Sequence, residues 1–205
     1  MSKDMAKTGI FLFIVAAISG ILLAFTQNLT APVIEKNQKK TEEEAQKNIL
    51  PSLRYSDDIT SEKDGKKLTY RVGYDKDGNV TGAIIKVSPK GFGGNINTMV
   101  GINNNGKVVN YIILKPLNET PGLGYKITSE EFTKNMKTLL ATESQIIFKV
   151  KKDGGSVDAV TAATISSRAF CSGIQEALDS FNSFKELILA NKYKPSNNAD
   201  KGGAK

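Results

Sequence analysis

The sequence predicts an α+β fold in which one N-terminal transmembrane helix precedes a domain built from an antiparallel sheet and helices. Three observations carry this prediction: an uncharged apolar run near the amino terminus, two related hairpin segments, and two later segments with apolar residues at helical spacing. The 205 residues suit one domain with an appendage, and a 40% hydrophobic content is enough for a real core.

The apolar run at residues 9–25 predicts a membrane anchor, because flanking uncharged residues bring it to the ~20 residues that a bilayer requires. A signal peptide shares the basic start and the apolar core, but its core is typically only ~7 to 15 residues, so we expect an uncleaved anchor. Lys3 and Lys7 precede the run, and no Lys or Arg occurs in residues 26–35. This asymmetry predicts a cytoplasmic N-terminus and an extracytoplasmic domain.

Four segments are expected along the chain. Residues 1–29 form the anchor, and residues 30–54 form a charged juxtamembrane helix and linker, with the helix ending before Pro51. Residues 55–193 form the folded domain. Residues 194–205 are rich in Asn, Gly and Lys without an apolar face, which predicts a disordered tail.

Two hairpins of similar sequence form the predicted sheet. Their strands and turns are, in order, residues 68–74, the turn Asp77-Gly78, residues 80–87, residues 99–102, the turn Asn105-Gly106 and residues 108–114. Val72-Gly73 of the first hairpin recurs as Val100-Gly101 of the second, and later matches keep the same offset of 28 residues. We interpret this as an internal repeat, arising either by duplication or by convergence on similar turns.

The remaining elements follow from capping and periodicity. Thr128 and Glu131 predict a capping box before one helix, and residues 146–150 predict a short strand. A second helix, capped by Ser166 or Ser167, and a further helical segment follow. The apolar residues of these three helical segments are Phe132, Met136, Leu139 and Leu140, then Phe170, Ile174, Ala177, Leu178 and Phe181, then Phe184, Leu187, Ile188 and Leu189.

A glycine-rich loop follows the second strand of each hairpin, at residues 89–94 and 119–124. Equivalent strands of adjacent hairpins deliver their loops to the same end of a sheet, so we expect the two loops to lie close together. Their glycines permit close backbone approach to a flat ligand, and Phe92 and Leu123 offer apolar surface beside it. Taken singly, each loop is equally well explained as a plain turn.

Residues 158–168 predict a phosphate site, because they place four hydroxyls and Arg168 at the start of a helix. Helix N-termini offer unpaired N–H groups and a partial positive charge, and the arginine adds a forked donor. An ordinary capped helix after a turn of small residues explains the same pattern.

Absent residue types exclude several kinds of chemistry. The sequence contains no His, which excludes Ser/His/Asp catalysis and His-ligated haem or zinc, and its single Cys171 holds neither an internal disulfide nor an iron–sulfur cluster alone. We expect Cys171 to be buried. The net charge of +7 is spread along the chain without an Arg-rich stripe, so nucleic acid is not expected as a partner. Redox or transfer chemistry would require a cofactor, and we expect no bound metal.

The run Asp158-Ala-Val-Thr-Ala-Ala-Thr164 resembles the flavinylation motif Asp-x-x-(Ser/Thr)-Gly-Ala-(Thr/Ser) of the FMN-binding domain family. Asp158 matches the motif acid, Thr161 its Ser/Thr, Ala163 its Ala and Thr164 the residue that carries FMN through a phosphoester bond. Ala162 stands where the family usually has Gly. That departure strains the backbone only if the position requires a positive φ.

The two glycine-rich loops also resemble motifs of this family, so the resemblance covers roughly residues 67–182. It implies a flavin site that joins the loops to the motif. The implied cofactor-binding residues, beyond Thr164, are Gly91, Phe92, Gly93, Gly94, Glu119, Thr120, Pro121, Gly122, Leu123, Gly124, Lys126, Asp158, Thr161, Ala162, Ala163, Ser166, Ser167 and Arg168. Asp158 is expected to accept backbone N–H bonds or to take part in attachment, and Lys126 to stabilise reduced flavin.

In its length and its single anchor, the chain is most similar to the G subunit of the Rnf complex. The alternative is the C subunit of Na⁺-translocating NADH:quinone reductase. The resemblance implies an electron-carrier subunit of a membrane ferredoxin:NAD⁺ oxidoreductase coupled to ion translocation, without a complete active site of its own. Its implied partners are the other subunits, membrane lipid and a Mg²⁺-dependent flavin transferase. A noncovalent FMN-binding domain and a cofactor-free structural or adhesive module remain open.

Overall fold

The computed structural model describes residues 3–63, 65–143 and 145–191, so the predicted tail at residues 194–205 lies outside the described residues. The elements, in chain order, are α1 Lys3–Ile49, β1 Arg54–Tyr55, β2 Ile59–Lys63, β3 Lys66–Tyr74, β4 Val80–Val87, β5 Thr98–Asn103, β6 Val108–Ile113, a 3-10 helix Gly124–Thr128, α2 Glu130–Thr142, a 3-10 helix Lys151–Asp153 and α3 Thr164–Leu189.

The chain divides into two compact units, Met1–Glu43 and Glu44–Lys205. Within the first unit, Lys7–Ile34 forms a helix long and apolar enough to cross a membrane, and it contains the predicted anchor at residues 9–25. The juxtamembrane segment is the continuation of α1, which runs through Pro32 and ends at Ile49, ahead of Pro51 as predicted.

The second unit begins earlier than the predicted domain start at Tyr55. Gln46, Ile49 and Leu50 are buried, so residues expected to form a linker belong to the folded part. Apolar burial explains the difference, because Ile49 and Leu50 form a cluster with Ile84 of β4 and Met99 of β5.

A single antiparallel sheet holds both predicted hairpins. Its order is β1-β3-β4-β5-β6, and β2 also pairs with β3. The first hairpin places Tyr70 opposite Ile85, and the second places Val100 opposite Tyr111. The pairing of β4 with β5 makes the hairpins adjacent, so the predicted sheet and its class are confirmed. Strands β1 and β2 were not predicted, because β1 is only two residues long and β2 is largely polar.

The repeated Val-Gly pairs have a structural reason. A Cβ on Gly73 would lie 2.8 Å from Leu50 Cδ2, and one on Gly101 would lie 2.6 Å from Ile49 Cγ2. Real Cβ atoms do not approach other atoms so closely. The equivalent glycines of β3 and β5 therefore make the room in which residues 49–50 pack on the outer face of the sheet.

The main core lies on the other face, between the sheet and the helices α2 and α3. Phe170 of α3 is its aromatic centre: its ring centroid lies 4.9 Å from that of Tyr111 and 5.4 Å from that of Phe132, both with edge-to-face geometry. The predicted apolar stripe of α3 is confirmed, because Phe170, Ile174, Ala177 and Phe181 are all buried.

Three local predictions were wrong. The two helical segments predicted after Ser166 are one continuous α3, because Phe184 and Ile188 continue the same buried face. Helix α2 is capped by Ser129, whose side chain accepts from Phe132 N, and Thr128 Oγ1 instead donates to Tyr125 O. Residues 146–150 form no strand: only Val150 pairs, in an isolated parallel bridge with Val157.

Candidate functional site

Helix α3 begins at Thr164, with Ala163 in the N-cap position. The start lies earlier than predicted, so Ser166 and Ser167 belong to the first turn and do not cap the helix. Alanine has no polar side chain, and no side-chain hydrogen bond caps this end. The N–H groups of Thr164, Ile165 and Ser166 are therefore open, whereas Ser167 N donates to Ala163 O. The half-buried Thr164 lies at the positive end of a 26-residue helix.

Both serines of the first turn are buried and bonded within the chain. Ser167 Oγ accepts a hydrogen bond from Val160 N at 3.0 Å and donates to Ala163 O at 3.0 Å, which closes the loop before the helix. Ser166 Oγ donates to Glu119 Oε2 at 2.7 Å. Sequence reasoning assigned both hydroxyls to a phosphate, whereas here both hydroxyl hydrogens are used by the chain.

Glu119 joins the two glycine-rich loops to α3. Its side chain is 5% exposed. Its Oε1 accepts hydrogen bonds from Phe92 N at 2.9 Å and Gly93 N at 3.3 Å, and its Oε2 accepts from Ser166. The expectation that the two loops lie close together is confirmed by these contacts.

Glycines line this carboxylate because no side chain would fit there. A Cβ on Gly91 would lie 2.1 Å from Glu119 Oε1, and a Cβ on Gly124 would lie 2.1 Å from Oε2. A Cβ on Gly93 would lie 1.9 Å from the carbonyl oxygen of Asn118. Sequence reasoning explained these glycines by close approach to a ligand, and the structure shows that they admit the chain's own carboxylate and backbone.

The surface around this junction carries exposed apolar side chains. Phe92 is 69% exposed, Ile165 54%, Leu123 42% and Tyr125 36%. Phe92 adjoins Gly93 and Ile165 adjoins Ser166, so the Glu119 contacts hold both segments. Sequence reasoning missed Ile165 and Tyr125. The signal for Ile165 was its place outside the buried stripe of α3.

The loop at residues 158–163 is exposed at Asp158, Thr161 and Ala162 and is locally strained. Asp158 Oδ2 accepts from Lys151 Nζ at 2.8 Å in a solvent-exposed ion pair, and no backbone N–H bond to Asp158 occurs among the described contacts. Thr161 and Ala162 are exposed. Ala162 has φ = +60°, the left-handed conformation that glycine adopts freely and that costs an L-residue roughly 1–2 kcal/mol. The departure from the family motif therefore falls on a strained residue.

Two cations predicted to bind the ligand differ in their contacts. Arg168 Nε and Nη2 donate to the two carboxylate oxygens of Asp153, each at 2.7 Å, so its guanidinium fork is occupied. This pair lowers the pKa of Asp153 and raises that of Arg168. Lys126 lies on the 3-10 helix after the second loop, exposed and without a side-chain partner within the described ranges.

A groove of about 860 Å³ runs beside α3 from Arg168 to Phe184. Cys171 lines it and is 1% exposed, so the prediction that this thiol is buried is confirmed. Burial raises the pKa of Cys171 to about 12, which makes the thiolate scarce at neutral pH. Among residues 3–63, 65–143 and 145–191, no group of three or more Asp, Glu, His or Cys side chains is placed to hold a metal ion.

Family models match both units of the chain. Residues 91–179 match the FMN-binding domain, and residues 1–49 match the RnfG N-terminal region. The first match contains both glycine-rich loops except Pro89 and Lys90, and it also contains the whole of residues 158–168.

Curated relatives match nearly the whole chain. The chain is 31% identical over 182 residues to the G subunit of the ion-translocating oxidoreductase complex of Methanosarcina acetivorans, covering 87% of this chain and 95% of that protein. It is 30% identical over 190 residues to the G subunit of the proton-translocating ferredoxin:NAD(+) oxidoreductase complex of Clostridium ljungdahlii, covering 90% and 98%. The solved C subunit of the Na⁺-translocating NADH-quinone reductase of Parabacteroides distasonis is similar at 18% identity and a TM-score of 0.45, covering 75% of this chain and 85% of that one.

Proposed function

The chain belongs to the family of G subunits of ion-translocating oxidoreductase complexes, and we propose that within such a complex it carries FMN as a phosphoester on the Thr164 hydroxyl. The observation that carries the proposal is the position of Thr164. It is the first residue of α3, its helix start has no side-chain cap, and it occupies the acceptor position of the motif. Open N–H groups and the helix dipole favour a phosphate at this point.

The residues present fit an FMN group. Its phosphate matches the uncapped first turn, and its flat ring matches an apolar surface that the described residues leave uncovered. Phe92, Leu123, Tyr125 and Ile165 supply that surface and are brought together by the loops on Glu119. When bound, FMN supplies the electron-transfer chemistry that the side chains of this protein lack.

The proposal keeps the other predicted contacts with FMN, which differ in how well their surroundings support them. Lys126 is exposed and available to stabilise negative charge on the ring. The backbone N–H groups of Ile165 and Ser166 are the phosphate donors that the geometry favours. Arg168 uses Nε and Nη2 for Asp153 and has further N–H donors on Nη1, and Asp158 uses Oδ2 for Lys151 and has a second carboxylate oxygen, so each can add a contact beside its present one.

We assign this protein the role of relaying electrons within the complex, on the way from ferredoxin to NAD⁺. The one candidate membrane span and the lack of a metal-ligand cluster among the described residues support placing the ferredoxin, NAD⁺ and ion sites in other subunits. The chain is a membrane protein, and the position of Lys3 and Lys7 supports a cytoplasmic N-terminus with an extracytoplasmic domain. A covalent bond would keep FMN in place outside the cell, where lost flavin is not replaced. Attachment is assigned to a separate Mg²⁺-dependent flavin transferase.

The test is loading of the full chain, co-expressed with a flavin transferase, followed by a denaturing gel viewed for flavin fluorescence. A fluorescent band is expected for the wild-type chain and for Thr138→Val, an exposed threonine of α2 outside the motif that serves as the matched control. Thr164→Val is expected to give no band, because valine keeps the shape of threonine and removes the hydroxyl.

Other outcomes separate the alternatives. Flavin that purifies with the chain but leaves on denaturation would support a noncovalent FMN domain. A band that persists in Thr164→Val would place the bond on another residue. A chain that binds no flavin despite active transferase would favour the cofactor-free structural module.

A further inference from the structure

We propose that Glu119 is the positioning residue of the attachment site: its buried carboxylate clamps the first turn of α3 to the first glycine-rich loop and so places the Thr164 hydroxyl. The effect of Glu119 on flavin attachment rests on the proposed function. The hydrogen bonds of Glu119 can be tested without flavin. Glu119 has a role other than contact with the cofactor, because the side chain is only 5% exposed.

The hydrogen bonds define the clamp. Three donors from two distant segments converge on the carboxylate: Phe92 N, Gly93 N and Ser166 Oγ. Ser166 lies two residues after Thr164 in the first turn of the helix, so the bond at 2.7 Å fixes that turn. A buried donor left without its acceptor is costly, so loss of this side chain would affect both segments.

The surrounding glycines show that the chain is built to admit this side chain. Gly91 and Gly124, one in each loop, stand where a Cβ would lie 2.1 Å from one or the other carboxylate oxygen. A Cβ on Gly124 would also lie 2.6 Å from Ser166 Oγ. Side chains at these two positions would displace the carboxylate, so their absence is a condition of the clamp.

Substitutions at Glu119 distinguish hydrogen bonding from charge. Glu119→Ala removes all three acceptor contacts. Glu119→Gln keeps them in another form, since its amide oxygen accepts from Phe92 N and Gly93 N while its NH₂ group donates to Ser166 Oγ. We therefore expect Glu119→Gln to rescue what Glu119→Ala loses. Ser166→Ala removes only the link to α3.

The first measurement is hydrogen exchange of the full chain in detergent, with Thr164→Val as the background so that flavin plays no part. Added Glu119→Ala is expected to speed exchange at least tenfold in two peptides, one covering residues 91–94 and the other residues 167–170, where the bonded amides of α3 begin. Added Ser166→Ala should affect residues 167–170 most. Val72→Ala, a core substitution in β3, is the control for general loss of stability.

The second measurement is the initial rate of flavin attachment in the Thr164 chain, below the melting temperature of every variant. Glu119→Ala is expected to slow attachment at least tenfold relative to Val72→Ala, with Glu119→Gln close to wild type. Ser166→Ala added to Glu119→Ala should cause little further loss, because the two side chains act through one bond.

Two results would overturn the clamp: unchanged exchange in both peptides of Glu119→Ala, or attachment no slower than in Val72→Ala. If the wild-type chain accepts no flavin, the proposed function fails while the exchange measurement still decides whether Glu119 holds the two segments together.

Discussion

The two glycine-rich loops follow equivalent strands, β4 and β6, yet they contribute opposite things to the junction. The first loop contributes backbone N–H donors at Phe92 and Gly93, together with empty space at Gly91. The second contributes the side chain that fills the space, Glu119. The loops after the two hairpins thus supply the donor side and the acceptor side of one contact.

This difference shows that glycines in similar loops serve different needs. Gly93 is required by a close neighbour, because its Cβ would lie 1.9 Å from Asn118 O. Gly122 has φ = +77° with nothing within 4 Å, so it is required by its backbone conformation alone. Steric exclusion at Gly93 and conformational freedom at Gly122 predict substitution effects of different sizes.

The largest effect is expected from Gly93→Ala. The added methyl meets a backbone carbonyl that cannot rotate away, so we expect a loss of about 3 kcal/mol or more, beyond ordinary overpacking. Gly94→Ala is the matched control, because its Cβ would lie 3.2 Å from the Cβ of Asn118, a contact that a small shift relieves. Urea unfolding in detergent should show Gly94→Ala losing less than about 1.5 kcal/mol. Equal losses for the two variants would remove the steric explanation.

A smaller pair of effects, opposite in sign, is expected at the two positions with left-handed backbone. Gly122→Ala should cost about 1 kcal/mol, and Ala162→Gly should gain about 1 kcal/mol by relieving strain at φ = +60°. For a chain of this size, each corresponds to roughly 2–4 °C in melting temperature. Ala169→Gly, within α3, is the control and should lower the melting temperature. A loss of stability in Ala162→Gly would contradict the strain.

The smallest stability effect is expected from the ion pair beside the site. Asp153→Asn and Arg168→Gln should change the melting temperature little at neutral pH, because the pair is exposed. Arg168 lowers the pKa of Asp153 in the folded chain, so the contribution exists above the ordinary carboxyl range and is lost as pH falls through the folded pKa. Melting curves from pH 7 to acid should therefore converge for wild type and Asp153→Asn.

The same two variants measure whether Arg168 holds the phosphate. Flavin attachment should fall equally little in both if the guanidinium serves only Asp153. A loss confined to Arg168→Gln would show that the arginine also donates to the phosphate.

Patterns that depend on burial could be read from the sequence. Alternation in β3 and the 3.6-residue stripe of α3 predicted the correct faces, because burial of one face dictates both periods. Residues 146–150 carried a similar apolar signal but lack neighbouring strands beyond the bridge at Val150. The cap of α2 is Ser129 and not Thr128, because either of two adjacent hydroxyl residues can serve as an N-cap even though only Thr128 has a Glu three residues later.

The interior of the site was less accessible to prediction. Glycine-rich loops indicate that space is needed beside the backbone, but the sequence does not show whether a ligand or a distant side chain fills that space. Here Glu119 reaches Ser166 across 47 positions of sequence, a contact that no local pattern encodes. The pairing of Arg168 with Asp153 was missed for the same reason. Ala162 is the exception. It stands where the motif has Gly, which raised the question of a positive φ at this position, and the structure shows that φ is positive.

The packing of residues 49–50 on Gly73 and Gly101 determines how this protein can be shortened. A fragment beginning at Tyr55 would lack Ile49 and Leu50, and the side chains of Ile84 and Met99 that they cover would face water. Such a fragment would expose an apolar face of its sheet, which favours aggregation. A fragment beginning at Glu44 keeps that cover while leaving out the whole candidate span, and is the natural choice for a soluble version.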